Sequence, residues 1–365
     1  MIFPKLSSEE LTKKLDVPPG KIRLVIDSDA KNEVDDQFAI AWALKSKDRF
    51  SVEAVYAAPF SHDCFDQFNE DSQTVAVANS VNGHSENPED GMEQSYQEIL
   101  KIFSMLGESP DHKVFRGSRE YLKGLTPVES EAARDLVQRA MGSDETLYVA
   151  AIAAATNIAS AILMEPRIVE KIVVVWLGGH ALSFEHGIEF NLIQDVAAAQ
   201  VLFDSGVPLI WIPCMNVASL LSVSDKELCA HLLGKCEIGS YLSNIVLEAF
   251  RDPQTDIAMM NLIRGSSLRG NHDQSEAYLS QFPTKDVAWS RIIWDISTVA
   301  ALKNPNWVPS RLIPSPVLTE DFKWVAPAEG RHLIRAATYC HRNMIFGDMF
   351  TSLTSGEVSS EGESL

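Results

Sequence analysis

Five short apolar runs, each followed by a stretch with helical spacing, constrain this chain more tightly than anything else in it. Residues 22–26 (IRLVI), 52–58 (VEAVYAA), 147–152 (LYVAAI), 172–177 (IVVVWL) and 208–212 (PLIWI) are rich in β-branched residues, and their only charges are Arg23 and Glu53. Each reads as a strand buried on both faces. Residues 37–44, 94–106, 130–140, 158–164 and 195–203 have the spacing of helices. Strands alternating with helices pair in parallel through right-handed crossovers. The expected fold class is therefore α/β, an open and mostly parallel sheet flanked by helices, Rossmann-like in layout. Residues 222–303 read mainly as helix, and 310–318 as extended chain or loop. No long polar linker divides the sequence, so residues 1–350 are expected to form one domain. Residues 61–91 are polar enough for a loop over a site, and 351–365 are rich in Ser, Gly and Glu, as in a disordered acidic tail.

Charge narrows the partners. The 365 residues hold 31 Lys plus Arg against 50 Asp plus Glu, a net charge of −19. Such an excess repels phosphate backbones and anionic bilayers, so neither nucleic acid nor membrane is an expected partner. The five cysteines (Cys64, Cys214, Cys229, Cys236, Cys340) are odd in number and form no CxxC pair, which argues against a disulfide framework or a zinc site. With no secretory-type apolar segment near Met1 and no run of 18 apolar residues, a cytoplasmic location is expected.

The stretch 27–36, DSDAKNEVDD, carries five acids (Asp27, Asp29, Glu33, Asp35, Asp36) in ten positions, directly after the first strand and before the apolar QFAIAWAL. Ligands of open α/β sheets bind at the carboxyl ends of the strands. Asp35 or Asp36 could cap the following helix, but a cap accounts for one carboxylate. Crowded like charges must be protonated, solvated or neutralised by a cation, and hard oxygen ligands select Ca²⁺ or Mg²⁺. An exposed acidic loop is the plainer alternative. A phosphatase of the haloacid dehalogenase type is another, with Asp27 as nucleophile, Asp29 as general acid and Mg²⁺. That type has Thr or Val where Lys31 stands.

Read with later segments, the cluster resembles the inosine-uridine-preferring nucleoside hydrolase family, of which this chain would be a divergent member. That family opens with Asp-x-Asp-Pro-Gly-x-Asp-Asp; here Asp27-Ser28-Asp29 and Asp35-Asp36 stand without Pro-Gly and with two extra residues between them. Residues 147–166 (LYVAAIAAATNIASAILMEP) are similar to its strand and Thr-Asn-Ile-Ala helix start. Residues 173–195 hold WLGGH and EFNLIQD, 196–212 continue with DSGVPLIWI, and 294–305 (WDISTVAALKNP) stand where the family has His-Asp. Order and spacing agree over residues 21–305.

The resemblance implies a Ca²⁺ held by Asp29, Asp36, Asp295 and the backbone carbonyl of Ile152. It also implies Asp35 as the general base, Glu189 and Asn191 as ribose ligands, Asp27 as a residue supporting the loop, and a homodimer or homotetramer. Asp295 has independent support, because it lies in the nearly all-apolar stretch 287–302, where a buried carboxylate needs a partner. Trp294 replaces the family's His; an indole cannot protonate a leaving base but can stack on one. Ala58-Pro59-Phe60 stands where the family has an Asn. Asn32 and Glu33, from the two-residue insertion, and His180, after Gly178-Gly179, are further candidates for substrate contact, with His186 and His272 in loops as weaker ones. The expected activity is hydrolysis of a ribonucleoside, or a related N-ribosyl compound, to ribose and base. A nucleoside- or sugar-binding protein without turnover is the non-enzyme reading.

Overall fold

All five apolar runs are strands in the computed structural model, which describes residues 3–64, 83–249, 290–327 and 329–355. In chain order the strands are β1 (Ile22–Ser28), β2 (Phe50–Ala57), β3 (Val114–Arg116), β4 (Leu147–Ile152), β5 (Ile172–Leu177), β6 (Leu209–Ile212), β7 (Ser222–Ser224), β8 (Ser290–Ile292), β9 (Ser310–Pro314), β10 (Val317–Leu318), β11 (Trp324–Val325) and β12 (Leu333–Ala337). Eight form one sheet in the order β3-β2-β1-β4-β5-β6-β12-β9. All its pairings are parallel except that of the edge strand β9 with β12. β4 and β5 are buried along their whole length, as continuous apolar runs require. β7–β8 and β10–β11 are separate antiparallel pairs.

The strand order reverses beside β1. From β1 the chain adds β2 and β3 on one side, then returns to place β4, β5 and β6 on the other. The crevice at the carboxyl ends of β1 and β4 is therefore the switch point at which such sheets bind ligands.

One core lies on each face of the sheet. The helix Asp36–Lys45 is buried on every side up to Leu44, which an apolar sequence all round demands. Its outer partners are the helices Ile296–Lys303 and Arg342–Thr354, tied to it where Asp348 accepts from the Trp42 indole at 3.0 Å and pairs with Lys303 at 2.9 Å. Arg49 bonds the Leu302 carbonyl at 2.7 and 3.0 Å, so a carbonyl near the end of the 296–303 helix is capped by a buried guanidinium.

Three boundaries differ from expectation. The helix Pro88–Met105 starts six residues before the expected 94, because Asn87 caps it and Pro88 opens it. The last helix runs to Thr354, so the first residues assigned to the tail are helical; 356–365, like 65–82 and His272, lie outside the described residues. Within 222–303, the short strands β7 and β8 interrupt the expected helix. Among the described residues, no helix is long and apolar enough to cross a membrane.

Candidate active site

The acidic stretch follows β1 into a short loop whose carboxylates meet that of Asp295, the N-cap residue of the 296–303 helix. A cavity of about 580 Å³, mouth included, opens there, lined by Asp29, Asn32, Glu33, Asp35, Asp36, Ile152, Leu177, Ile188, Glu189, Phe190, Asn191, Cys214, Trp294 and Asp295. Four strand ends build it. β1 leads to Asp29, β4 ends at Ile152, β5 ends at Leu177, and β6 precedes Cys214.

Asp29, Asp35, Asp36 and Asp295 are 2–4% exposed. Ligand oxygens of Asp35, Asp36 and Asp295 lie within 4.8 Å of one another. Oxygens on opposite sides of a Ca²⁺ ion stand about 4.6–5.2 Å apart, so this grouping is the right size. Asp29 faces the same cavity, and its Oδ2 is buried without a hydrogen-bond partner. Burial, and then mutual repulsion, holds Asp29 and Asp295 well above the carboxylate range. Asp35 is raised by burial, by Glu33 and by Asp36, against an opposing effect of Arg291. Burial pushes Asp36 up to about 7, although the Ser28 hydroxyl donates to it at 2.6 Å. An all-oxygen set of buried acids with an orphaned oxygen fits a hard divalent cation. The tightest trio includes Asp35, where the resemblance implied Asp29 with Asp36 and Asp295.

The expected cap is absent. Asp35 holds the N-cap position of the 36–45 helix, but its side chain makes no cap bond and Oδ2 accepts from the Trp294 backbone N–H at 3.1 Å. That bond joins the two distant stretches directly. Asp27 is fully buried behind the cavity; Asn157 donates to its Oδ1 at 2.8 Å, its Oδ2 has no partner, and burial raises it to about 7. Asp27 is absent from the cavity wall and so cannot be a nucleophile, and Lys31 turns away toward Glu98 at 3.9 Å. The phosphatase reading finds no support.

On the opposite wall, Glu189 caps the short helix Phe190–Gln194. Its carboxylate accepts from the N–H groups of Gly179 (2.8 Å), Asn191 (3.0 Å) and Leu192 (3.3 Å). The Asn191 amide donates to the Leu177 carbonyl at 3.1 Å. Gly179 reaches Glu189 from a left-handed turn (φ +65°), and a Cβ on Gly178 would fall 2.2 Å from the Trp176 ring. The Gly-Gly pair is thus needed where β5 meets the site.

His180 is placed elsewhere. It is fully buried, its ring packs 5.1 Å from Phe184, and it is not on the cavity wall; burial lowers it to about 4. A lone His after a Gly-Gly turn carries no signal for which way the ring goes. His186 lies in the loop that bridges to Lys323, also off the wall. Leu177, Ile188, Phe190 and Cys214 are wall residues that motif reasoning passed over. Position at a strand end would have found Leu177 and Cys214.

The model of a known family, described as inosine-uridine preferring nucleoside hydrolase, matches residues 24–322. A putative pyrimidine-specific ribonucleoside hydrolase RihB of Shigella boydii is 36% identical over 86 residues, 23% of this chain and 36% of the relative. The pyrimidine-specific ribonucleoside hydrolase RihB of Escherichia coli O1:K1 is 36% identical over 84 residues, 22% of this chain and 27% of that protein. The aligned part thus spans about a third of these curated relatives. Among solved structures, a purine-preferring ribonucleoside hydrolase from Gardnerella vaginalis superposes with a TM-score of 0.64 at 17% identity, over 91% of this chain and 98% of that one. A plant nucleoside hydrolase superposes at 0.63 and 17%, over 93% and 100%. These two likenesses concern the fold.

Proposed function

Because the chain belongs to the inosine-uridine preferring nucleoside hydrolase family, we propose that it hydrolyses the N-glycosidic bond of ribonucleosides to ribose and free base, with Ca²⁺ as cofactor. One observation carries the reading. A single cavity at the sheet's switch point gathers Asp29, Asp35 and Asp36 with Asp295, 259 residues beyond Asp36, and sets Glu189 and Asn191 opposite them.

Breaking the bond develops positive charge on the ribosyl ring, as in glycoside hydrolysis. The residues that would hold the cation are Asp29, Asp36, Asp295 and the Ile152 carbonyl; when bound, it supplies Lewis acidity that fixes a water and increases its acidity. Asp35 is the general base. The Trp294 N–H fixes one of its oxygens, and the other accepts the proton of the attacking water. Glu189, kept in place by three backbone donors, and Asn191 bond the ribose hydroxyls, and such positioning lowers the barrier by pre-paying orientation. Trp294, Phe190 and Ile188 supply apolar surface on the cavity wall against which a flat base packs. Asp27 supports the strand end through Asn157. Assembly as a homodimer or homotetramer in the cytoplasm belongs to the same proposal, and light scattering of the purified chain tests the assembly.

Incubation with inosine, guanosine and uridine, with reducing sugar as the readout, tests the activity. Release of ribose that EDTA abolishes and Ca²⁺ restores, and that falls at least 100-fold in Asp35→Ala, is the expected result. Ribose release indifferent to Asp35→Ala would remove the base assignment. Nucleoside binding with no product from any of the three would favour the binding-protein reading.

A further inference from the structure

The loop between β1 and the 36–45 helix is held from several directions. Gln37 donates to the Ala30 carbonyl and, at 3.2 Å, to that of Glu33; the Asn32 N–H donates to the Asp29 carbonyl at 2.8 Å. From 258 positions further along the chain, Arg291 on β8 reaches the Glu33 carboxylate at 2.8 Å, with side-chain exposures of only 6% and 13%. Glu33 nevertheless lines the cavity beside Asp35 and Trp294. A loop with no role at the cavity would not require a largely buried ion pair spanning 258 positions, since such pairs are costly to desolvate.

The geometry points to Glu33 and Arg291 as one specificity device: Arg291 fixes the Glu33 carboxylate on the cavity wall as an acceptor for a sugar hydroxyl. A carboxylate offers about four acceptor positions, so one group can hold Arg291 and a sugar hydroxyl together. Held against a guanidinium, the carboxylate oxygens act as acceptors, so they favour a hydroxyl over its deoxy counterpart, which offers no donor. Arg291 is the positioning residue, acting on substrate through Glu33. The inference rests on the nucleoside reading and names which part of the substrate the inserted loop reads.

Kinetics and calorimetric binding with inosine and its 2′-, 3′- and 5′-deoxy analogues test it, in Glu33→Gln, Arg291→Met and the double variant. Each single change should lower kcat/KM and affinity for inosine by about 10–100-fold, while one of the three analogues binds equally well to parent and Glu33→Gln. The double variant should lose no more than the worse single, since the two act as a unit. Ca²⁺ affinity should stay within about twofold of the parent. Equal losses on all four compounds, additive losses in the double variant, or a collapse of Ca²⁺ affinity would each overturn the proposal. Calorimetry keeps this test separate from turnover: a parent that binds inosine with these preferences but releases no ribose refutes hydrolysis and leaves the device intact.

Discussion

Replacing Asp36 by Asn should raise stability without the cation and lose most of that gain with it. Asp36 is 2% exposed, and burial raises its carboxyl from 3.8 to about 7. The unfolded acid is ionised above 3.8, whereas the folded one stays protonated up to about 7. Folding therefore takes up a proton in that window, and the metal-free fold loses stability as pH rises through it. By pH 8 the full shift counts, about 4 kcal/mol against the folded state. Asn matches the shape, carries no charge, and can still accept from the Ser28 hydroxyl. In EDTA at pH 8, Asp36→Asn should therefore be more stable than the parent by about 2–4 kcal/mol, and at pH 4 the difference should vanish. In Ca²⁺ that advantage should shrink by about 2.7 kcal/mol at a hundredfold excess over Kd, because the variant loses a proposed ligand and the linkage stabilisation with it. Urea unfolding at pH 4, 6 and 8, with EDTA or Ca²⁺, reads all of this. A metal-free variant less stable than the parent at pH 8 would refute the claim that burial of the Asp36 charge opposes folding.

Three further outcomes follow from the same structure. Gly117→Ala puts a Cβ 2.1 Å from the Ala57 carbonyl and 2.5 Å from the Asn157 amide, so it should cost about 1–3 kcal/mol in chemical denaturation; a loss below about 0.5 kcal/mol would contradict that packing. Arg49→Met leaves the Leu302 carbonyl without its guanidinium and should cost about 1–3 kcal/mol, read as a lower urea midpoint with unchanged Ca²⁺ stoichiometry. Burial lowers His332 from 6.5 to about 4. The unfolded imidazole binds a proton that the folded one refuses, so this residue makes stability rise with pH between about 4 and 6.5, by at most about 3 kcal/mol. His332→Gln should flatten that rise, and an unchanged pH profile of the urea midpoint would count against it.

The strands that could be read from sequence are those buried on both faces. Residues 147–152 and 172–177 match β4 and β5 to the residue, because an unbroken apolar run has one way to lie in a parallel sheet. β3 has three residues and β12 alternates buried and half-buried positions, so neither shows an apolar run, and both are defined by their neighbours. The acidic stretch was legible because its charge density conflicts with the buried strand before it and the apolar helix after it. Asp295 was legible for the same reason. Arg291 was not, since its partner is 258 positions away and nothing local marks it. Gln37 stands in a stretch that reads as apolar, and nothing local marks its amide as the group that holds the inserted loop.

The joining of Asp36 to Asp295 has a consequence for synthesis. With 259 residues between them, and ribosomes adding about 5–20 residues per second, the nascent chain carries its first acids for roughly 15–50 s before the last one is made. For that interval β1 and its loop hold an unneutralised negative charge that opposes their own burial. β1 and its loop should therefore dock late, and with the cation proposed above, its ambient concentration at the moment of release would govern how much chain reaches the native state.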